Sequence, residues 1–456
     1  MQNANEAMAG DKLGNGTGTL AQERAPDIVE AMNAHGPDKA AAILRSLPAE
    51  KAIEVLDLPG LASTCEIIAE LPTETAVALL SGVSDDRAAD IFKELIEPLR
   101  TTLLNGLTPE TRTVISGLLA YPERSAGSIM TTEFVSVPAT WTIAEVLHHI
   151  RMVERTRETV YSIFVIDPVK KTLIQAVPLR RLISGDPHAS VLTAAPARRP
   201  LTVSPEADRM EAARLISRYD VLAVAVVDGP GRILGIVTVD DVIDAIVEES
   251  TEDAQKFGGM EAIDEPYLRI SFGEMIKKRA GWLCALFLSE MLTATAMQTY
   301  QSELEKAIVL TLFIPLIMSS GGNSGSQATS LLIRSLALHE VRLGDWWRVA
   351  IRELPTGITL GAILGVIGIV RITLWQTLGL FDYGPHWGLV AVTVGAALVG
   401  IVTFGSLSGS MLPFILKRIG FDPASASAPF VATLVDVTGL VIYFGVAAVI
   451  LRGTLL

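Results

Sequence analysis

PFVATLVDVTG, residues Pro429–Gly439, sets one carboxylate, Asp436, inside a segment that is almost wholly apolar from Ala426 to Leu451. A charge near the middle of a bilayer costs roughly 3 kcal/mol or more, so an intramembrane acid faces a bundle interior or a wet pathway. Two readings follow: Asp436 is protonated or paired with a neighbouring helix, or it faces a cation path. The second is favoured here, because Ala432 and Thr433 lie one turn before it and Gly439 one turn after, which gives the carboxylate a small-residue surround.

Outward from this stretch, half of the 456 residues are hydrophobic, and the apolar excess lies after Gly281. Four runs, Gly281–Met297, Pro355–Thr373, Leu389–Phe404 extended to Ile415, and Ala428–Leu451, each approach the roughly 20 residues of a spanning helix. A fifth, Ala307–Leu338, is expected to break at SSGGNSGSQ (Ser319–Gln327), because glycine-rich backbone at membrane depth is tolerated where protein or water satisfies it. Asn323 is the candidate there to face an ion's water shell. Cations cluster in alternate loops: Lys277, Lys278 and Arg279 before the first span, Arg334, Arg342, Arg348 and Arg352 after the second, Lys417 and Arg418 after the fourth. These loops are expected to be cytoplasmic. The long N-terminal part is then also cytoplasmic, and the C-terminus is outside. Glu290 in the first span is a second intramembrane acid, which either pairs with a polar neighbour or lines the path.

No signal peptide is expected in the polar, Gly/Asn-rich start, which reads as disordered. Cys65 and Cys284 give neither a disulfide framework nor a zinc pattern. The formal charge of −13 is in part a solubility term. From Asp27 to Leu119 a turn recurs as LPAE (Leu47–Glu50), LPTE (Leu71–Glu74), VSDD (Val83–Asp86) and LTPE (Leu107–Glu110). Each places Pro, Ser or Thr beside acids at a helix start, and short helices in register predict a superhelical array. Asp86 and Asp90, one turn apart, either share a cation or form a solvated face.

A second repeat covers Tyr121–Ile246. YSIFVID (Tyr161–Asp167) with LIQAVPLRRLI (Leu173–Ile183) matches LAVAVVD (Leu222–Asp228) with ILGIVTVDDVI (Ile233–Ile243), and GPGR (Gly229–Arg232) makes the hairpin turn. The pair resembles the tandem cystathionine-β-synthase (CBS) regulatory module. That resemblance implies an adenosine-nucleotide site at Thr238 and Asp241, and none in the first copy, where Pro178 and Arg181 stand instead. Asp240–Glu265 then carries ten acids and one base, Lys256. Asp241, Asp244 and Glu248 line one helical face, and Glu249, Glu252 and Asp253 another. Stacked carboxylates repel, so this segment reads either as a solvated linker or as a metal-sensing plug that cations bridge. The histidines lack metal-ligand spacing, and nothing matches a catalytic triad, a P-loop or a basic nucleic-acid patch. An enzyme or an ATP-driven pump is not expected.

Together the helical repeat, the paired modules, EESTEDAQKFG (Glu248–Gly258), GGNSGSQA (Gly321–Ala328) and PFVATLVDVTG resemble the MgtE family of bacterial magnesium channels. The resemblance implies a multidomain membrane protein: a tail (1–26), an all-α superhelical N domain (27–120), an α/β tandem CBS module (121–246), an acidic connecting plug helix (247–275) and a five-helix transmembrane domain (276–456). It implies a homodimer in the inner membrane, with its N-terminus cytoplasmic and its pore at the dimer axis, closed when cytoplasmic Mg²⁺ bridges the soluble domains and connecting helices. By resemblance Asp436 is the selectivity carboxylate, with Ala432 and Gly439 near it. Asp208, Asp220, Asp241, Asp244, Glu249, Glu252 and Asp253 match sensing positions, Asp422 is a membrane-side partner, and Asp86 and Asp90 match through DDRAADIF. Met210 replaces an expected acid, so one site is missing or rebuilt with Glu211. ATP at the module and Co²⁺, Ni²⁺ or Mn²⁺ as further cargo stay open. So do two alternatives, a Na⁺- or H⁺-coupled transporter and a non-transporting membrane sensor.

Overall fold

The computed structural model describes residues 21–154, 157–263, 267, 270–301, 307–338 and 340–455. The expected disordered tail lies mostly outside them, as do Lys306, His339, Asp264 and Glu265. The described chain divides into two compact units, residues 1–248 and 249–456.

Among its described residues the first unit begins with eight short helices: α1 Ala25–Asn33, α2 Pro37–Ser46, α3 Ala49–Asp57, α4 Thr64–Ala69, α5 Thr73–Leu80, α6 Asp85–Glu94, α7 Leu99–Gly106 and α8 Pro109–Leu119. All four recurring turns are helix starts, with Pro48, Pro72, Ser84 and Thr108 as N-cap residues. Alternate helices pack on one another, α1 with α3, α3 with α5 and α5 with α7 on one side, α2 with α4, α4 with α6 and α6 with α8 on the other. One apolar core runs through the array from Ala25 to Ile115. None of these helices is long enough to be stable in isolation, so the shared core is what holds them.

The repeated module follows. Its first copy has β1 Phe134–Pro138, α9 Ile143–Val153, β2 Thr159–Ile166, β3 Leu173–Pro178 and α10 Leu179–Ile183. Its second has β4 Thr202–Val203, α11 Arg209–Tyr219, β5 Ala223–Val227, β6 Ile233–Thr238 and α12 Val239–Phe257. In each copy the hairpin is antiparallel, and a short leading strand pairs parallel to its first strand, an element that the sequence repeat did not reveal. Gly231 takes φ +88° in the GPGR turn, a backbone state that favours glycine. Phe164 of the first sheet packs with Ala225 and Ile236 of the second, so the copies share a core.

Among its described residues the second unit has five helices long and apolar enough to cross a membrane: α13 Phe272–Thr299, α14 Ile314–Ala337, α15 Trp346–Thr377, α16 Trp387–Arg418 and α17 Ala428–Ile450. Helix α16 is central and packs on α14, α15 and α17, whereas α13 packs on α17 and buries no residue. The expected break at Ser319–Gln327 is absent: the whole stretch lies inside α14. Its glycines serve close packing instead. A Cβ on Gly405 would overlap the Gly321 carbonyl, and one on Gly409 the Gly325 carbonyl. Thr329 Oγ donates to the Gly409 carbonyl at 2.8 Å, and the Ser324 and Ser406 hydroxyls meet at 2.7 Å. Small residues let helix backbones approach in lipid, where no hydrophobic drive separates helix from acyl chain. On α15, Gly357, Gly361 and Gly365 meet α16 in the same way, with a Cβ at 361 lying 2.7 Å from Val399 Cα.

The cations expected in loops lie, except for Arg342, within the helices near their ends, and these ends gather on one side of the bundle. Leu332 and Leu336 near the end of α14, Val349 near the start of α15 and Phe414 near the end of α16 form one cluster. Trp282 in the first turns of α13 donates its indole N–H to Ser427, the N-cap of α17, at 3.1 Å.

Candidate functional sites

In the membrane unit Asp436 is half-buried on α17, with Thr433 and Gly439 buried beside it and Ala432 partly so. Gly439 faces Met318 of α14, where a Cβ would lie 3.0 Å from the sulfur. One turn before Asp436, Ala432 meets Gly322 of α14, and the next residue, Asn323, is exposed with its amide 3.5 Å from Ser319 Oγ. Asn323 and Asp436 therefore flank the same helix crossing. The charged group whose field reaches Asp436 is Glu290 on α13. Among the described residues neither acid has a basic partner, an arrangement that attracts a cation.

The first unit contains the second site, a cavity of about 700 Å³ lined by nine carboxylates and two arginines. Its floor follows from helix ends. Asp57, closing α3, accepts the Ser84 N–H at 2.9 Å and the Ser84 hydroxyl at 2.7 Å, and so caps α6 in place of Ser84's own side chain. This holds Asp86 against the cavity, where its Oδ1 is buried without a hydrogen-bond partner among the described residues. From the other side α12 brings Asp241, Asp244 and Glu248, the face that the spacing predicted, with Ala245 buried beneath. Arg209 is buried and pairs with Glu248 at 2.6 Å, while Arg87 donates to the Leu56 carbonyl at 3.2 Å, so both cations are partly engaged.

Burial of so many acids raises their proton affinity. Desolvation, then the fields of Asp57 and Asp90, pushes Asp86 up to about 6. Desolvation and the charge of Asp86 push Asp241 to about 8, against the Thr238 hydroxyl, which donates to it at 2.5 Å. Glu158 rises to about 7 through desolvation and Asp86, and Glu133 to about 7 through desolvation and Asp85. Glu133, Glu158 and Asp57 were not singled out from the sequence, because neither period nor motif marks them. Among the described residues no three His, Cys, Asp or Glu side chains stand ready to bind a bare ion. A hydrated Mg²⁺ held by two carboxylates and its own waters suits this geometry better than a dry cage.

Asp90 lines the same cavity one turn beyond Asp86 and pairs with Lys93 at 2.8 Å. The remaining sequence candidates scatter. Asp208 caps α11, accepting the Met210 N–H at 2.7 Å, and Asp220 ends the same 11-residue helix with φ +51°. They lie at opposite ends of it, roughly 18 Å apart at 1.5 Å per residue, too far to share one ion. Glu249, Glu252 and Asp253 follow on α12, and Glu252 and Asp422 both hold Lys256. Cys65 and Cys284 are free thiols.

The family model for the divalent cation transporter MgtE matches residues 314–446, that for the MgtE intracellular N domain matches 23–124, and that for the CBS domain matches 190–248. Magnesium transporter MgtE of Thermus thermophilus is 39% identical over 346 residues, 75% of this chain and 74% of that protein. Its counterpart in Enterococcus faecalis is 33% identical over 341 residues, 74% and 72% of the two chains. Among solved structures, the cytosolic domain of the Mg²⁺ channel MgtE in complex with ATP is 33% identical with a TM-score of 0.48, covering 50% of this chain and 93% of that one.

Proposed function

The chain belongs to the MgtE family of divalent cation transporters, and from that premise we propose that it carries Mg²⁺ across the cytoplasmic membrane past Asp436 and is closed by Mg²⁺ bound in its cytosolic acid cavity. The observation that carries the transport reading is a pair of intramembrane carboxylates, Asp436 and Glu290, without a basic partner among the described residues. The exposure of α13 and Asn323 supports a homodimer in which two Asp436 side chains face one axis. The gathering of cationic helix ends on one side of the bundle supports a cytoplasmic N-terminus and an inner-membrane setting. A channel needs no coupling ion. Flux into liposomes is expected to follow the Mg²⁺ gradient and the membrane potential alone; dependence on a Na⁺ or H⁺ gradient would favour the coupled transporter.

The buried Oδ1 of Asp86, opposite Asp241 and unpartnered among the described residues, supports the gating reading. Without Mg²⁺ the ionised acids repel; with it, the compact closed arrangement gains population. Asp86→Asn/Asp241→Asn is expected to raise the internal Mg²⁺ needed for half-closure at least about tenfold, the equivalent of about 1.4 kcal/mol. Closure of the variant at the wild-type concentration would remove the cavity from gating. Within this reading Asp241 is a cation ligand of the cavity.

The raised carboxylates also predict a pH dependence. A carboxyl whose folded pKa lies above its unfolded value contributes its full stability below the ordinary carboxylate range and loses it as pH climbs through the folded value. For Asp86, Glu158 and Asp241 that window spans about 6 to about 8. In Mg²⁺-free buffer the cytosolic unit of the full chain is expected to melt at least about 5 °C lower at pH 8.5 than at pH 5.5. Added Mg²⁺ removes the difference by restoring the stability lost at pH 8.5, and Asp86→Asn flattens it. Calorimetry showing equal melting at both pH values would mean that the cavity acids are not strained.

A further inference from the structure

Lys256 is the one base in Asp240–Glu265. Its ammonium lies 2.6 Å from Glu252 Oε1, one turn back on α12, and 2.5 Å from Asp422 Oδ2, so a single cation serves two carboxylates. The three side chains are 23%, 14% and 36% exposed, which shields the contact from bulk water. Asp422 is itself fixed: its Oδ1 accepts the Ala424 N–H at 2.9 Å, at the head of the short 3-10 turn Pro423–Ser425 that leads into α17. Neighbouring contacts complete a joint. Gln255 Oε1 accepts the Ile263 N–H at 2.6 Å, and Gly259, at φ +77°, runs so close to α13 and α17 that a Cβ would lie 2.9 Å from the Trp282 ring and 3.2 Å from Pro429. Two carboxylates held this near one another need positive charge between them, and here the chain supplies it. On the upstream acidic face, Asp241 and Asp244 have no such base one turn away.

We infer that Lys256 is a positioning residue, a built-in cation that fastens the membrane end of the connecting helix to the head of α17 without any divalent ion. Helix α17 carries Asp436, so the fastening couples the connecting helix to the ion path. Mg²⁺ then has its effect on the upstream acids, and this last step alone rests on the gating reading above.

The test uses the full-length protein in liposomes, digested with subtilisin in EDTA and scored for cleavage across residues 257–263. Lys256→Gln is expected to be cut about fivefold faster than wild type. Lys256→Arg keeps wild-type protection, and the swap Lys256→Glu/Asp422→Lys recovers most of it. Cleavage of Lys256→Gln at the wild-type rate, or a swap no better protected than Lys256→Gln, overturns the proposal. The same liposomes report flux against internal Mg²⁺. Wild-type flux that ignores internal Mg²⁺ would overturn the gating reading, while the Mg²⁺-free protection pattern would still decide the role of Lys256.

Discussion

Asp436→Ala is expected to lower Mg²⁺ flux at least about 100-fold in protein that reaches the membrane in wild-type amount. Moving a cation along a low-dielectric path is unfavourable by several kcal/mol unless fixed negative charge offsets it, and roughly 3 kcal/mol is about two powers of ten. The substitution opens no cavity that would unfold the bundle, because the carboxylate is half-exposed and its helix is held by Val435, Leu440 and Tyr443, all fully buried. Asp436→Asn should fail nearly as badly, since it keeps the shape and removes the charge. Asp436→Glu should retain part of the flux. A dye assay of Mg²⁺ entry into liposomes, normalised to protein content, measures all three, and wild-type flux through Asp436→Ala would remove this residue from the pathway.

Gly409→Ala is expected to do the opposite, damaging the fold and with it all transport. The added methyl would land on the Gly325 carbonyl, which is backbone inside α14 and has no rotamer to yield. Overpacking against side chains typically costs about 1–3 kcal/mol; against backbone the helices must separate, which also strains the Thr329 hydroxyl bond to the Gly409 carbonyl. A melting temperature at least about 5 °C below wild type, with reduced yield, is the expected result in detergent. Gly281→Ala is the control, because a Cβ there meets nothing within 4 Å and alanine is the better helix former. Equal melting of Gly409→Ala and wild type would mean that α14 and α16 do not pack through their glycines.

The contrast between these residues marks where sequence reading succeeded and where it stopped. Asp436 was legible because an acid in an apolar run is conspicuous whatever surrounds it. Ser319–Gln327 was legible as special, but its meaning was inverted: glycine and serine are what a broken helix needs and also what a tight helix crossing needs. The difference lies in Gly405 and Gly409, some 80 positions later on another helix, as the Thr329 to Gly409 bond records. The same limit hid Glu158 and Asp57 from the acid cavity, since each reaches it only through the packing of strands and helices distant in sequence.

The sequence by itself determined what depends on neighbours along the chain: the helix starts at Pro48, Pro72, Ser84 and Thr108, the two module hairpins, five membrane-length segments and the alternation of cationic segments, because capping, periodicity and hydropathy act within a few residues. Only the tertiary structure decided which distant groups meet. It set Asp86 opposite Asp241, fitted the glycines of α14 against those of α16, and gave Lys256 to Glu252 and Asp422 together. Those pairings depend on distances through space, for which the chain carries no local signal.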